Sequence, residues 1–287
     1  MITRTTSRRL RWAAYPLASA LLVFTLATGA GGQAPGAIRD WDDGVKYARG
    51  QAVVPVFEGW IPNPDGTFSL LFGFFNRNWE EIVFLPVGPD NRIEPAGPDR
   101  GQPTVFTSRR GRNLFEIVVP KDFGKKEVVW TLTTRGKIER AFGSLVPQSV
   151  LTRRMALAGG VLGANATAGD DDTGDERSSN QPPTVTIDPV RPLTLPDHAT
   201  LAVSITDDGL ATNRLVPGPA RMRVHWSTFR GPAAVTFEPP GSDLSNPKGG
   251  KTTTTATFSA PGAYVLRATV TDVGGYSASK DVTVVVK

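Results

Sequence analysis

The chain has 287 residues, with 32 lysines and arginines against 27 aspartates and glutamates, and it contains no cysteine. The missing thiols exclude disulfides, a cysteine nucleophile and cysteine-ligated zinc or iron–sulfur sites. The formal charge of +5 is concentrated at the start, where residues 1–30 hold arginines and no acid. The remainder is close to neutral and predicts no nucleic-acid binding.

The N-terminus has the pattern of a secretion signal. Arginines between Arg4 and Arg11 precede an apolar run over 12–27, and the small residues 28–30 follow. We predict a cleaved signal peptide over 1–30, with general secretion preferred to the twin-arginine route that Ser7-Arg8-Arg9 suggests. An uncleaved membrane anchor stays open as an alternative, although the run is short for a span. The predicted location is the periplasm, cell surface or exterior of a bacterium.

A polar lead over residues 31–50 precedes a first predicted domain over 51–147. Its strand-like runs are 53–61, 67–75, 81–87, 113–119 and 128–134. Because 62–66 is a strong turn sequence, the first two runs are expected to form a hairpin. Both alternating sets of side chains in 67–75 are apolar, which indicates a central strand covered on both faces. The pattern predicts an all-β sandwich or a partly open barrel.

Residues 148–181 are predicted to be a linker. The part from 150 to 168 is rich in glycine and alanine and is expected to form a short helix or to pack on the first domain. The part from 169 to 181 is acidic and polar and is expected to be flexible. Upstream, the tight cluster of Arg109, Arg110 and Arg112 is interpreted as a solvated loop.

The last predicted domain, residues 182–287, alternates at period two in many short runs. From Ala263 to Asp272 one face is apolar and the other polar, and Gly274-Gly275 supplies a turn before the final strand. About seven short strands in about 100 residues are typical of an immunoglobulin-like sandwich. Trp226 is expected in its core, and Tyr264 is expected to form a tyrosine corner. The predicted runs are 184–188, 201–206, 221–228, 235–238, 252–259, 263–272 and 282–286.

Three segments of this domain carry a family resemblance. Asn180-Gln-Pro-Pro-Thr-Val, Ile205-Thr-Asp-Asp-Gly and Gly262-Ala-Tyr-Val-Leu, with the following 270–275, resemble PKD and related immunoglobulin-like or cadherin-like modules of secreted bacterial proteins. The resemblance covers 181–287 and implies a spacer or a protein- or glycan-binding unit. Residues 224–229 lack the Gly-Asp-Gly of the PKD core motif, so the subfamily stays open.

The first domain also shows a resemblance. It is similar, over about 53–147, to the front half of a group of uncharacterised secreted bacterial proteins, and this similarity implies no activity. The segments that carry it are 73–81, 86–91, 101–104 and 120–124.

No catalytic set is evident in the sequence. His198 and His225 are the only histidines, and neither lies near a nucleophile motif. Neighbouring acids such as Glu80-Glu81 are interpreted as solvated turn residues, since glycoside hydrolysis needs carboxyls from separate elements. We therefore expect no enzyme and no cofactor.

A weak calcium hypothesis attaches to Asp207, Asp208 and Asp272. These aspartates lie at strand ends, which meet at the poles of a sandwich, and oxygen ligands suit a hard cation. Because no D-x-D-x-D-G loop is present, turn-forming aspartates are the preferred interpretation.

Aromatic residues of the first domain are the remaining candidates for ligand binding. Trp60 and Trp79, with Asn76 and Arg77 beside Trp79, could form a sugar-binding face, whereas core packing is the preferred interpretation. The predicted function is an exported structural or interaction protein whose partners are envelope proteins or an extracellular polysaccharide. The alternative is a carbohydrate-binding protein that uses these aromatics, and a hydrolase is the least favoured class.

Overall fold

The computed structural model describes residues 46–95, 97–157, 180–210 and 221–287. These residues belong to one compact unit, Lys46–Lys287. The predicted signal peptide, most of the polar lead and residues 158–179 of the predicted linker lie outside the described ranges. Within those ranges the regular secondary structure is nearly all β-strand, which confirms the predicted all-β fold class. None of the helices described is long and apolar enough to cross a membrane.

Eight strands form a first sandwich. They are β1 (Val53–Pro62), β2 (Phe68–Asn76), β3 (Val83–Phe84), β4 (Asn91–Glu94), β5 (Val105–Phe106), β6 (Arg109–Val119), β7 (Val128–Thr134) and β8 (Lys137–Gly143). One antiparallel sheet has the order β1-β2-β6, a second has the order β4-β7-β8, and β3 pairs with β5. Strand β1 contacts β7 and β8, so the two larger sheets pack against each other and share one hydrophobic core.

The centre of the first sandwich is aromatic. Trp130 is fully buried among the rings of Phe72, Phe106 and Phe115, with centroids 5.0 to 6.3 Å away. Its Nε1 donates to Asn91 Oδ1 at 3.0 Å, so the one polar atom of the indole is satisfied. The predicted hairpin is confirmed, and β2 is the central strand of its sheet and is almost wholly buried.

The sequence prediction of this sandwich differs from the structure in three places. The run 81–87 pairs only over Val83–Phe84, while β4, β5 and β8 were not predicted. In β8 only Ala141 and Gly143 are buried, so the strand lacks an apolar alternation. The arginine cluster is not a solvated loop: it lies on β6, and Arg110 pairs with Glu58 at 2.8 Å.

Residues 144–157, the described segment that follows β8, pack on the first sandwich. A 3-10 turn, Pro147–Ser149, leads to the short helix α1 (Arg153–Leu157). Leu151 N donates to Trp60 O at 2.7 Å, and Asn113 Nδ2 donates to Ala156 O at 2.9 Å. Of the two alternatives expected for 150–168, a short helix or packing on the first domain, the described residues up to 157 show both.

The C-terminal sandwich also has eight strands. They are β9 (Thr184–Ile187), β10 (His198–Thr206), β11 (Met222–Arg230), β12 (Val235–Glu238), β13 (Gly241–Leu244), β14 (Gly249–Phe258), β15 (Gly262–Thr271) and β16 (Ser277–Val286). The sheets have the orders β12-β14-β10-β9 and β13-β11-β15-β16. Apart from β12 and β13, which are edge strands of different sheets, this is the pairing of an immunoglobulin-like sandwich. Of these strands only β13 was not predicted, because Gly-Ser-Asp-Leu has little β propensity.

Both hallmark residues occupy their predicted places in this sandwich. Trp226 on β11 is 3% exposed and packs in the core. Tyr264 is the third residue of β15, and its hydroxyl donates to Ala260 O at 2.7 Å, as in a tyrosine corner.

The two sandwiches contact each other directly through a sandwich interface, formed by residues 99–104 and 114 with 229–231 and 267. Phe229, at the end of β11, is buried in the aromatic core of the first sandwich. Arg230 donates to Gln102 O at 2.8 Å and forms a bidentate pair with Asp99 at 2.8 and 3.1 Å. Thr104 N donates to Phe229 O at 3.1 Å.

A second arginine joins the sandwiches beside Phe229. Arg267 of β15 lies over the Phe229 ring, 3.6 Å from its centroid, and donates to Leu114 O of β6. Its Nε and Nη2 donate to Asp281 Oδ1 and Oδ2 at 2.7 and 2.9 Å. The side chain is only 13% exposed, so the polar face predicted for β15 is partly covered by the first sandwich.

Candidate functional site

The strongest candidate site lies at one end of the C-terminal sandwich. Asp207 and Asp208 follow β10, Asp272 follows β15, and Asn180 precedes β9. The fold brings these four residues, which we call the acidic pole, together from three parts of the chain. Asn180 Nδ2 donates to Asp272 Oδ2 at 3.2 Å, and Gln181 N donates to Asp208 Oδ2 at 2.8 Å.

Each aspartate of the acidic pole also shapes a turn. Asp207 Oδ2 accepts from Gly209 N at 2.9 Å, and Asp208 Oδ1 accepts from Leu210 N at 2.8 Å. Asp272 Oδ1 accepts from Tyr276 N at 2.8 Å. The first two are Asx-turns, in which the side chain bonds a backbone amide two residues on. The predicted turn-forming role is therefore met.

Two oxygens of the acidic pole are left over by these turns. Asp207 Oδ1 and Asn180 Oδ1 are buried and have no hydrogen-bond partner. Asn180 as a whole is 4% exposed, and its amide is held at Asp272. A side chain added at Gly274 would collide with that amide, so the glycine is required there. A buried acceptor without a donor costs free energy, and in a native fold it calls for an explanation.

The charges of the acidic pole are unbalanced as well. Burial raises the pKa of Asp207, and the negative charges of Asp272 and Asp208 raise it further. The hydrogen bond from Gly209 N lowers it in part. Burial raises the pKa of Asp272, although bonds from Tyr276 and Asn180 oppose the rise. Among the ion pairs of the described residues, none joins a lysine or arginine to these three aspartates. A cation at the acidic pole would relieve both the repulsion and the missing bonds.

Oxygen atoms suited to such a cation are present. Asp207, Asp272 and Asn180 offer side-chain oxygens, and the carbonyl of Leu210 lies near Asn180 beside Gly274. No cluster of three or more His, Asp or Glu side chains with metal-binding geometry occurs in the described ranges. Any site here would therefore combine two carboxylates with amide and backbone oxygens, which calcium accepts.

The two tryptophans proposed from the sequence lie far apart. Trp60 pairs with Leu70 near one end of β1, whereas Trp79 follows β2 beyond Asn76, which pairs with Val53 at the other end. The positions of Leu70 and Asn76 are six residues apart along β2, which corresponds to roughly 20 Å. The structure does not bring Trp60 and Trp79 to one surface patch.

Neither tryptophan presents a bare ring face to solvent. Trp79 is 41% exposed, but its ring is covered by Lys46 and by Arg109, at 4.7 and 4.2 Å from the centroid. Trp60 is half-buried, packs edge-on against Phe68 and donates from Nε1 to Val146 O at 2.8 Å. Trp60 packs against the first core, in line with the preferred interpretation, whereas Trp79 is exposed and does not fill the core.

The polar neighbours of Trp79 have structural partners too. Asn76 is fully buried and donates to Glu81 O at 2.8 Å and to Phe106 O at 3.0 Å. Arg77 is 44% exposed and lies 3.7 Å from Glu139. Asn76 is therefore occupied by the fold, while Arg77 remains accessible. His198 and His225 are both exposed on strands.

Two polar side chains with buried oxygens were not predicted from the sequence: Asn180 at the acidic pole and Glu58 in the first sandwich. Asn180 belonged to the family resemblance but was not proposed as a site residue, because Asp272 is 92 residues away. Glu58 was missed because a β-bulge in β1 turns it inward. Burial raises the pKa of Glu58 against the charges of Arg110 and Arg112, and its Oε1 is buried without a partner.

Comparisons with known proteins place the chain in no family. No family model matches the sequence, and no curated protein matches it significantly.

Solved structures match weakly. A conjugative transposon lipoprotein from Bacteroides eggerthii DSM 20697 is 14% identical, with 36% of this chain and 96% of that one covered and a TM-score of 0.27. The CARDB domain of the PF1109 protein from Pyrococcus furiosus, solved with di-metal ions, is 17% identical over 37% and 96%, with a TM-score of 0.22. DIP-gamma IG1+IG2 is 12% identical over 81% and 97%, with a TM-score of 0.19. Scores this low bear on neither the function nor the site.

Proposed function

We propose that the protein is an exported structural or interaction protein of the bacterial envelope or exterior, and that its acidic pole binds calcium. The signal peptide that the sequence predicts over residues 1–30 supports the location. The sandwich interface supports a structural role, because a buried aromatic residue and two arginines hold the two sandwiches together. Envelope proteins are the proposed partners, and the PKD-like character of the C-terminal sandwich is part of the proposal.

One observation carries the calcium site. Asp207 and Asp272 are paired with no basic residue among those described, while Asp207 Oδ1 and Asn180 Oδ1 are buried without a donor. A divalent cation would satisfy the negative charges and the unpaired oxygens together. Extracellular modules bind calcium with dissociation constants of about 0.1 to 1 mM, which suits an exported protein.

Thermal unfolding of the full chain with calcium or with EDTA tests this site. At about 10 mM calcium, binding in that affinity range stabilises the folded state by about 1.4 to 2.7 kcal/mol. For a protein of this size we expect Tm to rise by about 3 to 8 °C. Magnesium at the same concentration should raise Tm less, since it demands a stricter octahedral geometry.

A pair of variants separates the acidic pole from calcium binding elsewhere. Asp272→Asn should abolish the calcium response. Asp197→Asn, which changes an exposed aspartate of the same sandwich, should leave it intact. An unchanged Tm in wild-type protein, or an equal response in both variants, would refute the site.

The interaction role has its own test. The full chain would be immobilised and challenged with envelope fractions and a polysaccharide panel, in calcium and in EDTA. Saturable capture of an envelope protein is the expected result, and binding to neither would leave only a structural role. Carbohydrate binding by the first-domain aromatics stays a prediction, which the cation-covered ring of Trp79 does not favour.

A further inference from the structure

A groove of about 440 Å³ runs along the seam between the two sandwiches. One wall is the first half of β6, from Arg110 to Leu114, with Leu157 of α1 beside it. The other wall is the outward face of β11, β15 and β16. The volume falls within the range of about 300 to 1,000 Å³ that is usual for small-ligand sites. We call this cavity the interface groove.

Hydroxyl groups cover the C-terminal wall of the interface groove. Thr271 and Ser277 form one cross-strand pair, with oxygens 2.8 Å apart, and Thr269 and Ser279 form the next at 3.0 Å. In each pair one hydroxyl donates, so the accepting hydroxyl keeps its own proton for a further partner. Ser227 of β11 lines the same wall. The wall therefore offers alternating donors and acceptors in fixed positions.

Arginines supply the charge of the interface groove. Arg110, Arg112 and Arg267 line it, and its described lining contains no aspartate or glutamate. Glu58 balances Arg110, and Asp281 balances Arg267. Arg112 is exposed on β6, and no ion pair joins it to another described residue. A ligand would thus meet one guanidinium that has no salt-bridge partner among the described residues and interacts with Glu58 only through longer-range charge. Its planar fork matches a carboxylate.

The walls are held in place before any ligand arrives. Arg267 reaches from β15 to Leu114 O and fixes the spacing of the sandwiches at one end. Asn113, also in the lining, holds α1 through Ala156 O at 2.9 Å. Binding to a site with preformed walls loses less entropy than binding that must first assemble them.

We propose that the interface groove binds a carboxylate-bearing oligosaccharide, with the carboxylate on Arg112 and the sugar hydroxyls on the Thr–Ser wall. A sugar hydroxyl both donates and accepts, as that wall requires. One free guanidinium suits a single carboxylate, whereas a nucleic acid needs many basic contacts to its phosphates. The proposal is independent of the calcium site and of the tryptophans.

Calorimetric titration of the full chain with trigalacturonate tests the proposal. The buffer contains EDTA and low salt, so the result does not depend on calcium bound by protein or saccharide. We expect saturable binding, at least about tenfold tighter than for the carboxyl-reduced neutral trisaccharide, because a hydrogen bond to a charged group is lost. Arg112→Ala should weaken the binding by a similar factor.

Matched variants keep the test specific. Arg140→Ala removes an exposed arginine of β8 away from the groove and should change nothing. Ser279→Tyr adds bulk on the accessible rim and should abolish binding while Tm is retained. No saturable binding, equal binding of the neutral trisaccharide, equal effects of Arg112→Ala and Arg140→Ala, or equal binding of the peptide Gly-Glu-Gly would each overturn the proposal.

Discussion

The sandwich interface and the acidic pole both contain aspartates, and the pKa values of these aspartates are shifted in opposite directions in the two regions. At the interface, hydrogen bonds from Arg230 lower the pKa of Asp99. At the acidic pole, burial and like charge raise the pKa of Asp207, and burial raises that of Asp272. The first carboxylate has a built-in partner, whereas the other two have no cationic partner among the described residues.

The difference separates groups that hold the fold from groups that suit a ligand. Arg230 and Asp99 satisfy each other, and Arg230 also donates to a backbone carbonyl across the interface. At the acidic pole, Asp207 Oδ1 and Asn180 Oδ1 remain without partners in a protein that otherwise pairs most of its buried polar atoms. Charged groups with a shifted pKa and no structural partner are therefore candidates for ligand binding.

The largest effect is expected at the hydrophobic centre of the interface. Phe229→Ala removes a buried ring from the first core and should lower the free energy of unfolding by about 3 to 5 kcal/mol. Because that ring also joins the sandwiches, we expect urea unfolding to split into two transitions. Phe258→Ala, in the core of the C-terminal sandwich alone, is the control. A single transition in both variants would contradict a role of Phe229 in docking.

The interface arginine should have the next largest effect. Arg230→Ala removes its bonds to Gln102 and Asp99 and should cost about 1.5 to 3 kcal/mol. Asp99→Asn removes only the half-exposed ion pair and should cost less than about 1 kcal/mol. Chemical denaturation at pH 7 measures both. Equal losses would show that the bond to the Gln102 carbonyl contributes nothing.

The smallest effect has the opposite sign. Asp207→Asn keeps the bond to Gly209 but removes a repelling charge, so without calcium it should raise stability by about 0.5 kcal/mol. The calcium response should disappear in the same variant. A loss of stability in EDTA would mean that the carboxylate is needed for the turn itself.

The pH dependence of stability distinguishes the two regions further. A raised aspartate pKa means that the folded state holds a proton the unfolded state has released, so this contribution is present at low pH and declines as pH rises above about 3.8. The lowered pKa of Asp99 has the opposite effect on stability. Its stabilising contribution is present above that pH and is lost as pH falls through the lowered pKa. Unfolding in EDTA from acid to neutral pH should therefore show a decline that Asp207→Asn reduces and Asp99→Asn does not.

Several parts of this protein could be predicted from short-range pattern. The alternation from Ala263 to Asp272 and the glycine turn after it fix the closing strand pair. Trp226 and Tyr264 have side chains that the sandwich requires at those places. The same holds for the β1–β2 hairpin, whose turn residues specify it locally. Strand β5 was missed because it has only two residues, and β4, β8 and β13 were missed because their own residues carry little apolar period.

The sequence by itself determined the all-β class, the immunoglobulin-like C-terminal sandwich and the polar side chains at its strand ends, because period-two burial and turn chemistry act between near neighbours. Only the tertiary structure decided which of those side chains meet. Asn180 reaches Asp272 across 92 residues, and Arg230 reaches Asp99 across 131. Contacts at such separation depend on how the strands and sandwiches pack, and no local pattern encodes which charge will find a partner.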